Sequence, residues 1–216
     1  MNMLNKKTIT ELEKIFSDFK NEVNIKFFGK GENSDCRFCK ETQELLQGLS
    51  EITSKIKLES FDFNQDVEMV KKFDIKRTPA IVVMDENDRR IRFYGVPGGY
   101  EFSSLVESLK LISSGESMLV QETKDFLDSL TQDVHLQVFV TPSCPYCPNA
   151  VVLAHRMAYY CPKVTADMVE AQEFPELSQK YSVMGVPRTV INETGFQEGA
   201  APEDKLVDKI KETLGL

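Results

Sequence analysis

No stretch of the sequence reaches the roughly 18 consecutive apolar residues that a membrane-crossing helix needs, and tryptophan is absent altogether. The opening residues, MNMLNKKTITELEKIF, form a polar lead into an amphipathic helix and lack the apolar core of a secretory signal. A cytoplasmic location is the expectation, with no membrane partner. Basic residues are in the minority, 26 Lys and Arg against 34 Asp and Glu, and nowhere form a concentrated block. Nucleic-acid affinity rests mainly on attraction between cations and phosphate, so a formal charge of −8 argues against a nucleic-acid partner. Cysteine is scarce as well. Five residues in a cytoplasmic chain do not make a disulfide framework, and spaced pairs there point to metal or redox work.

What is present is the balance of a globular protein with a core to bury, 41% apolar and 28% charged. Its 216 residues suit two domains of about 100 residues each. An internal repeat supports that division. Residues 23–49, VNIKFFGKGENSDCRFCKETQELLQGL, lie over residues 134–158, VHLQVFVTPSCPYCPNAVVLAHRMA. Each is an alternating apolar run, a turn, a Cys-x-x-Cys and a helical pattern. Cys36 stands 43 positions before Pro79, and Cys144 stands 43 positions before Pro187. The turn before the first pair is longer, a difference that a loop absorbs at little cost.

In the first half, Thr10 and Glu13 have the spacing of a capping box, which predicts a helix from there to about Phe19. Strands are expected at Val23–Phe28, Lys57–Phe63, Ala80–Met84 and Ile91–Tyr94, with a hairpin turn at Asp85–Asp88. Helices are expected after the cysteines, at Val67–Phe73, and at Phe102–Ile112, where apolar residues recur at 102, 105, 106, 109 and 112. The second half repeats the plan: helix near Val120–Leu130, strand Val134–Val140, helix from about Cys147 to Tyr160 and strand Val164–Val169. Helix Phe174–Tyr181, a hairpin over Thr189–Gln197 and helix Asp204–Leu214 complete it. Ser113, Ser114, Gly115 and Glu116 mark the join, giving domains 1–115 and 116–216. The expected fold is α/β, with a β-α-β-α-β-β-α plan given twice.

A cysteine at a helix start and another three residues later share one face, within reach of a disulfide. The unpaired amide N–H groups and positive end of the helix dipole favour thiolate over thiol there. Cys36 and Cys144 are the expected nucleophiles, and Cys39 and Cys147 the resolving thiols, one turn deeper. Pro145 suits a first helical turn. Arg37, with Lys40 just beyond, instead adds cations near the first pair. Pro148 would disturb a helix that began at Pro145, so that helix is expected to start late. Two Cys-x-x-Cys pairs could alternatively supply four thiolates to zinc. Cys161 is expected to be a buried small hydrophobe, and His135 and His155 are expected to be structural or solvated.

Cys144-Pro145-Tyr146-Cys147 matches the active-site motif of glutaredoxins. A Cys-x-x-Cys at a strand-to-helix turn with a later Thr-Pro or Val-Pro before a hairpin resembles the thioredoxin fold. Two such units in one chain resemble the glutaredoxin-like protein disulfide oxidoreductases, over residues 20–214. The resemblance implies two tandem thioredoxin-like domains, each a central mixed sheet flanked by helices. It implies cis bonds at Thr78-Pro79 and Val186-Pro187, which would offer the backbone of Thr78 or Val186 to an extended substrate segment. No cofactor and no metal is implied. The expected partners are protein disulfide substrates, with a thioredoxin-reductase-like flavoprotein as electron donor. The strands VNIKFF and VHLQVFV hold no acidic residue, so the buried carboxylate of many thioredoxins has no candidate there. No lysine precedes Cys144 at positions 140–143, against glutathione as dedicated donor.

The expected activity is thiol–disulfide exchange on protein disulfides, whether reduction, formation or isomerisation, as part of cell redox homeostasis. The second site is favoured as the main one. Three alternatives stand beside it: an electron-relay module resembling the tandem amino-terminal domain of the alkyl hydroperoxide reductase flavoprotein, a dedicated donor to one peroxidase or reductase, and a zinc-stabilised scaffold or holdase.

Overall fold

In the computed structural model, which describes residues 4–31 and 35–216, the alternation of Val23, Ile25 and Phe27 becomes a strand with those three side chains buried. The first half runs α1 (Lys6–Ser17), β1 (Val23–Gly29), α2 (Cys39–Ile52), β2 (Ile56–Asp62), α3 (Val67–Lys72), β3 (Ala80–Met84), β4 (Arg90–Tyr94) and α4 (Glu101–Ser114). The second runs α5 (Gln121–Asp128), β5 (Val134–Val140), α6 (Cys147–Tyr160), β6 (Val164–Glu170), α7 (Pro175–Lys180), β7 (Arg188–Ile191), β8 (Gly195–Glu198) and α8 (Glu203–Leu214). Two compact units result: Met1–Val96 with Leu109–Gly115, and Pro97–Ser108 with Glu116–Leu216.

Within the first unit the strand order is β2-β1-β3-β4. β1 and β2 are parallel with Val23 opposite Ile56, whereas β1 and β3 are antiparallel with Phe28 opposite Ala80. The β3–β4 hairpin closes that sheet. The second unit repeats this as β6-β5-β7-β8. There Val140 pairs with Glu170 in parallel, and Phe139 pairs with Arg188 across the antiparallel ladder. A parallel pair requires a crossover, and in both units the helix that follows the cysteines supplies it. β3 is buried on both faces over Ala80–Val83, whereas β1 and β5 alternate apolar residues with Asn24 and Lys26 or with His135 and Gln137. Phe28 stacks on Phe61 at 5.1 Å between ring centroids and tilts against Phe73 at 5.8 Å. In the second unit Phe139 meets Tyr181 edge-on, and Val151, Ala154 and Met157 of α6 are buried.

The mixed sheets, the repeated plan and the late start of α6 all agree with the sequence reading. The first helix differs. Its cap is Asn5, whose Oδ1 accepts the Thr8 N–H at 3.0 Å, so the helix starts at Lys6 and Thr10 and Glu13 lie inside it. Asparagine is at least as good an N-cap as threonine, and the earlier cap adds a turn ahead of Leu12 and Phe16, the buried residues of the helix. Among the described residues no helix is long and apolar enough to cross a membrane.

The β3–β4 turn shows how one side chain can hold a hairpin. Asp85 is buried, and its Oδ1 accepts the N–H groups of Asn87 and Arg89, each at 2.9 Å. Asp85→Ala leaves two donors without that acceptor and is expected to cost about 1–3 kcal/mol, read as a lower urea midpoint at unchanged slope.

Candidate active site

β5 ends at Val140, six residues carry the chain over the end of the sheet, and α6 begins at Cys147. Cys144 and Cys147 are joined in a disulfide with their Cα atoms 5.5 Å apart. The helix therefore starts at the second cysteine, not the first, and Pro148 falls within its first turn, where a missing N–H costs nothing. Cys144 lies in the preceding loop, yet the electrostatic argument survives. The Cys147 N–H, one of the donors left unpaired at a helix start, donates to Cys144 Sγ at 3.1 Å. Cys147 is 0% exposed and Cys144 8%, an order that fits an attacking and a resolving sulfur. The Val186-Pro187 bond is cis, and the Val186 carbonyl oxygen lies 3.7 Å from Cys144 Sγ. All four expected residues of this site thus come together.

The first unit has the same frame. Cys36 and Cys39 form a disulfide with Cα atoms 5.5 Å apart, α2 begins at Cys39, and Thr78-Pro79 is cis. Cys39 is buried and Cys36 half-buried. The Lys30 N–H donates to Cys39 Sγ at 3.3 Å. Gly29 allows this approach, because a Cβ there would meet the Phe27 ring at 2.8 Å and Cys39 Sγ at 3.4 Å. Arg37 is exposed, with its guanidinium 5.0 Å above the Phe38 ring. Residues 32–34, part of the longer turn before this pair, lie outside the described residues.

The sequence reading missed two carboxylates of the second unit. Glu170 ends β6, and the Ala171 N–H bonds the Val140 carbonyl at 2.9 Å, which sets Glu170 beside the start of the cysteine loop. It is buried, its Oε1 has no hydrogen-bond partner among the described residues, and burial raises its pKa against the lowering effect of the Gln172 and Glu173 N–H groups. Glu101, first residue of α4, is 1% exposed, and its Oε1 also lacks a partner. Burial lifts its pKa to about 7, opposed by the Ser104 hydroxyl that donates to Oε2 at 2.5 Å. The chain just before it is pinned to the cysteine loop: the Tyr100 N–H donates to the Pro142 carbonyl at 2.9 Å. Only glycine fits at 99, where φ is +59° and a Cβ would sit 2.2 Å from that same oxygen. The strands before the cysteines carry no carboxylate. Glu170 stands on the parallel neighbour and Glu101 on a helix more than 40 residues upstream of Cys144, and sequence offers only an acidic residue at a strand end and another after Gly98-Gly99.

The remaining residues keep the structural roles expected of them. Cys161 is unbonded and buried, with Sγ 3.4 Å from the Leu127 carbonyl. His155 is buried against the Ser108 hydroxyl at 3.0 Å, and His135 bonds Asp167 at 2.6 Å. Among the described residues no three His, Cys, Asp or Glu side chains converge as metal ligands, and all four paired sulfurs are engaged in disulfides.

Residues 134–212 match the thioredoxin-domain family. A protein disulfide oxidoreductase from Aeropyrum pernix K1 superposes with a TM-score of 0.90, is 31% identical, and is matched over 99% of this chain and 94% of its own. The NTD_N/C domain of alkylhydroperoxide reductase AhpF from Enterococcus faecalis shares the fold, with a TM-score of 0.87 at 24% identity over 96% of this chain and 99% of its own. Among curated relatives, an alkyl hydroperoxide reductase chain of Staphylococcus aureus (strain N315) is 26% identical over 196 residues, which is 89% of this chain. The present chain spans only 35% of that relative's length. Two thioredoxin-fold units with a disulfide-forming pair in each, and an end-to-end match to the Aeropyrum protein, establish that the chain belongs to the protein disulfide oxidoreductases of tandem thioredoxin fold.

Proposed function

We propose that the chain exchanges disulfides with protein substrates through both Cys-x-x-Cys pairs, with Cys144–Cys147 as the main site. The observation that carries this reading is the Cys147 amide N–H aimed at Cys144 Sγ, since that donor stabilises the sulfur as an anion. In the reduced protein the Cys144 thiolate attacks one sulfur of a substrate disulfide, and the other substrate sulfur leaves as a thiolate that takes up a proton. Cys147, having lost its proton, then attacks Cys144 Sγ. The mixed disulfide breaks, the second substrate thiol is released, and the Cys144–Cys147 bond closes with two electrons passed to the substrate. Cys36 and Cys39 have the same roles in the first domain. Thr78 with Pro79, and Val186 with Pro187, line the respective sites, where the carbonyls before the prolines suit an extended substrate backbone. One such centre falls in each of the segments 1–115 and 116–216, while Pro97–Ser108, with Glu101, packs in the second compact unit.

Glu101 suits the proton step. A carboxyl with a pKa of about 7, buried beside the cysteine loop, can accept the Cys147 proton during closure and return it on opening. Electrons come from a thioredoxin-reductase-like flavoprotein in the cytoplasm, and the likeness to the staphylococcal alkyl hydroperoxide reductase chain supports a reductase as partner. That likeness favours a second reading, a relay that hands electrons to a single peroxidase or reductase. The two readings part on the range of substrates: one partner for a relay, many for a general oxidoreductase.

With dithiothreitol as reductant and insulin as substrate, Cys144→Ser is expected to lower the rate about tenfold or more while Cys36→Ser retains most of it; the reverse pattern would sink the assignment of the main site. Cys147→Ser should hold mixed disulfides, and electrophoresis of the trapped species distinguishes one partner from many. The proton of Glu101 gives a separate test. Its folded-state pKa of about 7 exceeds the ordinary 4.5, so the protonated carboxyl stabilises the fold fully below pH 4.5, and that contribution is lost as pH rises through about 7. Glu101→Gln should match the parent protein at pH 4.5 and exceed it at pH 8 by up to about 3 kcal/mol in urea unfolding. The same variant should flatten the pH dependence of insulin reduction between pH 6 and 8.

A further inference from the structure

The two disulfides share a frame but not their surroundings. Cysteines and cis prolines of the two units are all 108 positions apart, so flanking residues correspond one to one. Arg37, Lys40, Lys76 and Arg77 around the first pair correspond to Pro145, Pro148, Met184 and Gly185 around the second. All four cations are replaced by uncharged residues.

Their positions put these residues beside the sulfurs. Arg37 lies between the cysteines, and Lys40 follows Cys39 in the first turn of α2. Lys76 and Arg77 lead into the cis Thr78-Pro79 bond. The next residue, Ala80, pairs with Phe28 at the end of β1, from which the cysteine loop departs. Arg37, Lys40 and Lys76 are exposed. The acids nearby are largely engaged: Asp35 with Lys30 at 2.7 Å, and Asp74 with Lys76 and with Arg92 at 3.9 Å. Among the described residues five cations, Lys30 and the four above, stand beside four acids, Asp35, Glu41, Asp62 and Asp74, in a chain whose net charge is −8. Beside Cys144 the exposed Ser143, Pro145 and Asn149 are uncharged, and three exposed side chains are large and apolar. Tyr146 is 68% exposed, Met184 93% and Tyr100 53%.

We propose that the first site selects polypeptide disulfides flanked by carboxylates, and that the second selects those flanked by apolar side chains. The proposal rests on the exchange activity argued above and adds the substrate class of each site. Charge at a rim acts mainly on encounter and on the rejection of wrong partners, and salt screens it within about 10 Å at 0.1 M. Contact of the second rim with apolar neighbours removes apolar surface from water and has no such salt dependence. At either site the step conserves electrons as before: the protein dithiol closes to a disulfide, the substrate disulfide opens to two thiols, and dithiothreitol restores the protein.

The test uses the full chain with one site disabled, either Cys144→Ser with Cys147→Ser or Cys36→Ser with Cys39→Ser. The substrates are two disulfide-linked fluorescent peptide dimers, with glutamates or with leucines beside the cysteine, and uncatalysed dithiothreitol reduction is subtracted. With only the first site active, kcat/KM should favour the glutamate peptide by roughly tenfold at low salt, falling below about twofold near 0.5 M. With only the second active, the leucine peptide should be favoured at both salt levels. Arg37→Gln with Lys40→Gln should reduce the glutamate preference at the first site. The ratio between the peptides isolates partner choice, because a change in thiolate reactivity alters both rates together. Equal rates for both peptides at a turning-over first site would overturn the selectivity and leave the exchange activity standing. If neither peptide is reduced by either protein, the exchange activity itself fails, and this inference with it.

Discussion

A sulfur atom set against the first amide of a helix is the contact on which the rest of this molecule depends. Helix α6 begins with N–H groups that nothing inside the helix can satisfy, and the one on Cys147 points at Cys144 Sγ. Every neighbouring feature serves to keep that contact in place. β5 fixes where the loop starts, Pro148 lets the helix begin where it does, and the cis Val186-Pro187 bond brings a carbonyl oxygen 3.7 Å from the same sulfur. Cys147 is packed away at the head of the helix, 0% exposed and bonded to Cys144.

The second unit adds two buried carboxyls. Glu101 and Glu170 are both buried, each leaves one carboxyl oxygen without a partner, and burial raises the pKa of both. An unsatisfied buried oxygen is costly unless the carboxyl is neutral. Both carboxyls lie on segments pinned to the cysteine loop, and their burial carries a stability cost whenever they are charged. The residue corresponding to Glu170 in the first unit is Asp62, half-buried and bonded to the N–H groups of Asn64 and Gln65. The two halves thus repeat the backbone while differing in the chemistry around it.

Much of the fold was legible from local pattern. Strands such as Val134–Val140 announce themselves by alternating apolar residues, and α6 by its helical spacing between Cys147 and Tyr160. The equal distance from cysteine to proline in both halves revealed the duplication, and the four cysteines with the two prolines are the residues that the structure gathers. Local rules failed where two signals competed. Thr10 and Glu13 have a capping-box spacing, but Asn5 caps first and leaves them mid-helix. At the cysteines the signals pointed both ways: the thiolate argument set the first of each pair at a helix start, the residue pattern set α6 from about Cys147, and each helix begins at the second cysteine.

By itself the sequence determined the repeated α/β plan, the pairing of cysteines three apart and the prolines that accompany them. Periodicity and spacing are properties of a chain read in order, and these features follow from them. Only the tertiary structure decided which carboxylates attend the second disulfide. Glu101 approaches it because the backbone at Gly99 and Tyr100 touches Pro142, and Glu170 because β6 lies beside β5 in register. Contacts between residues dozens of positions apart, and the loss of water that shifts a carboxyl's pKa, exist only once the sheet has formed.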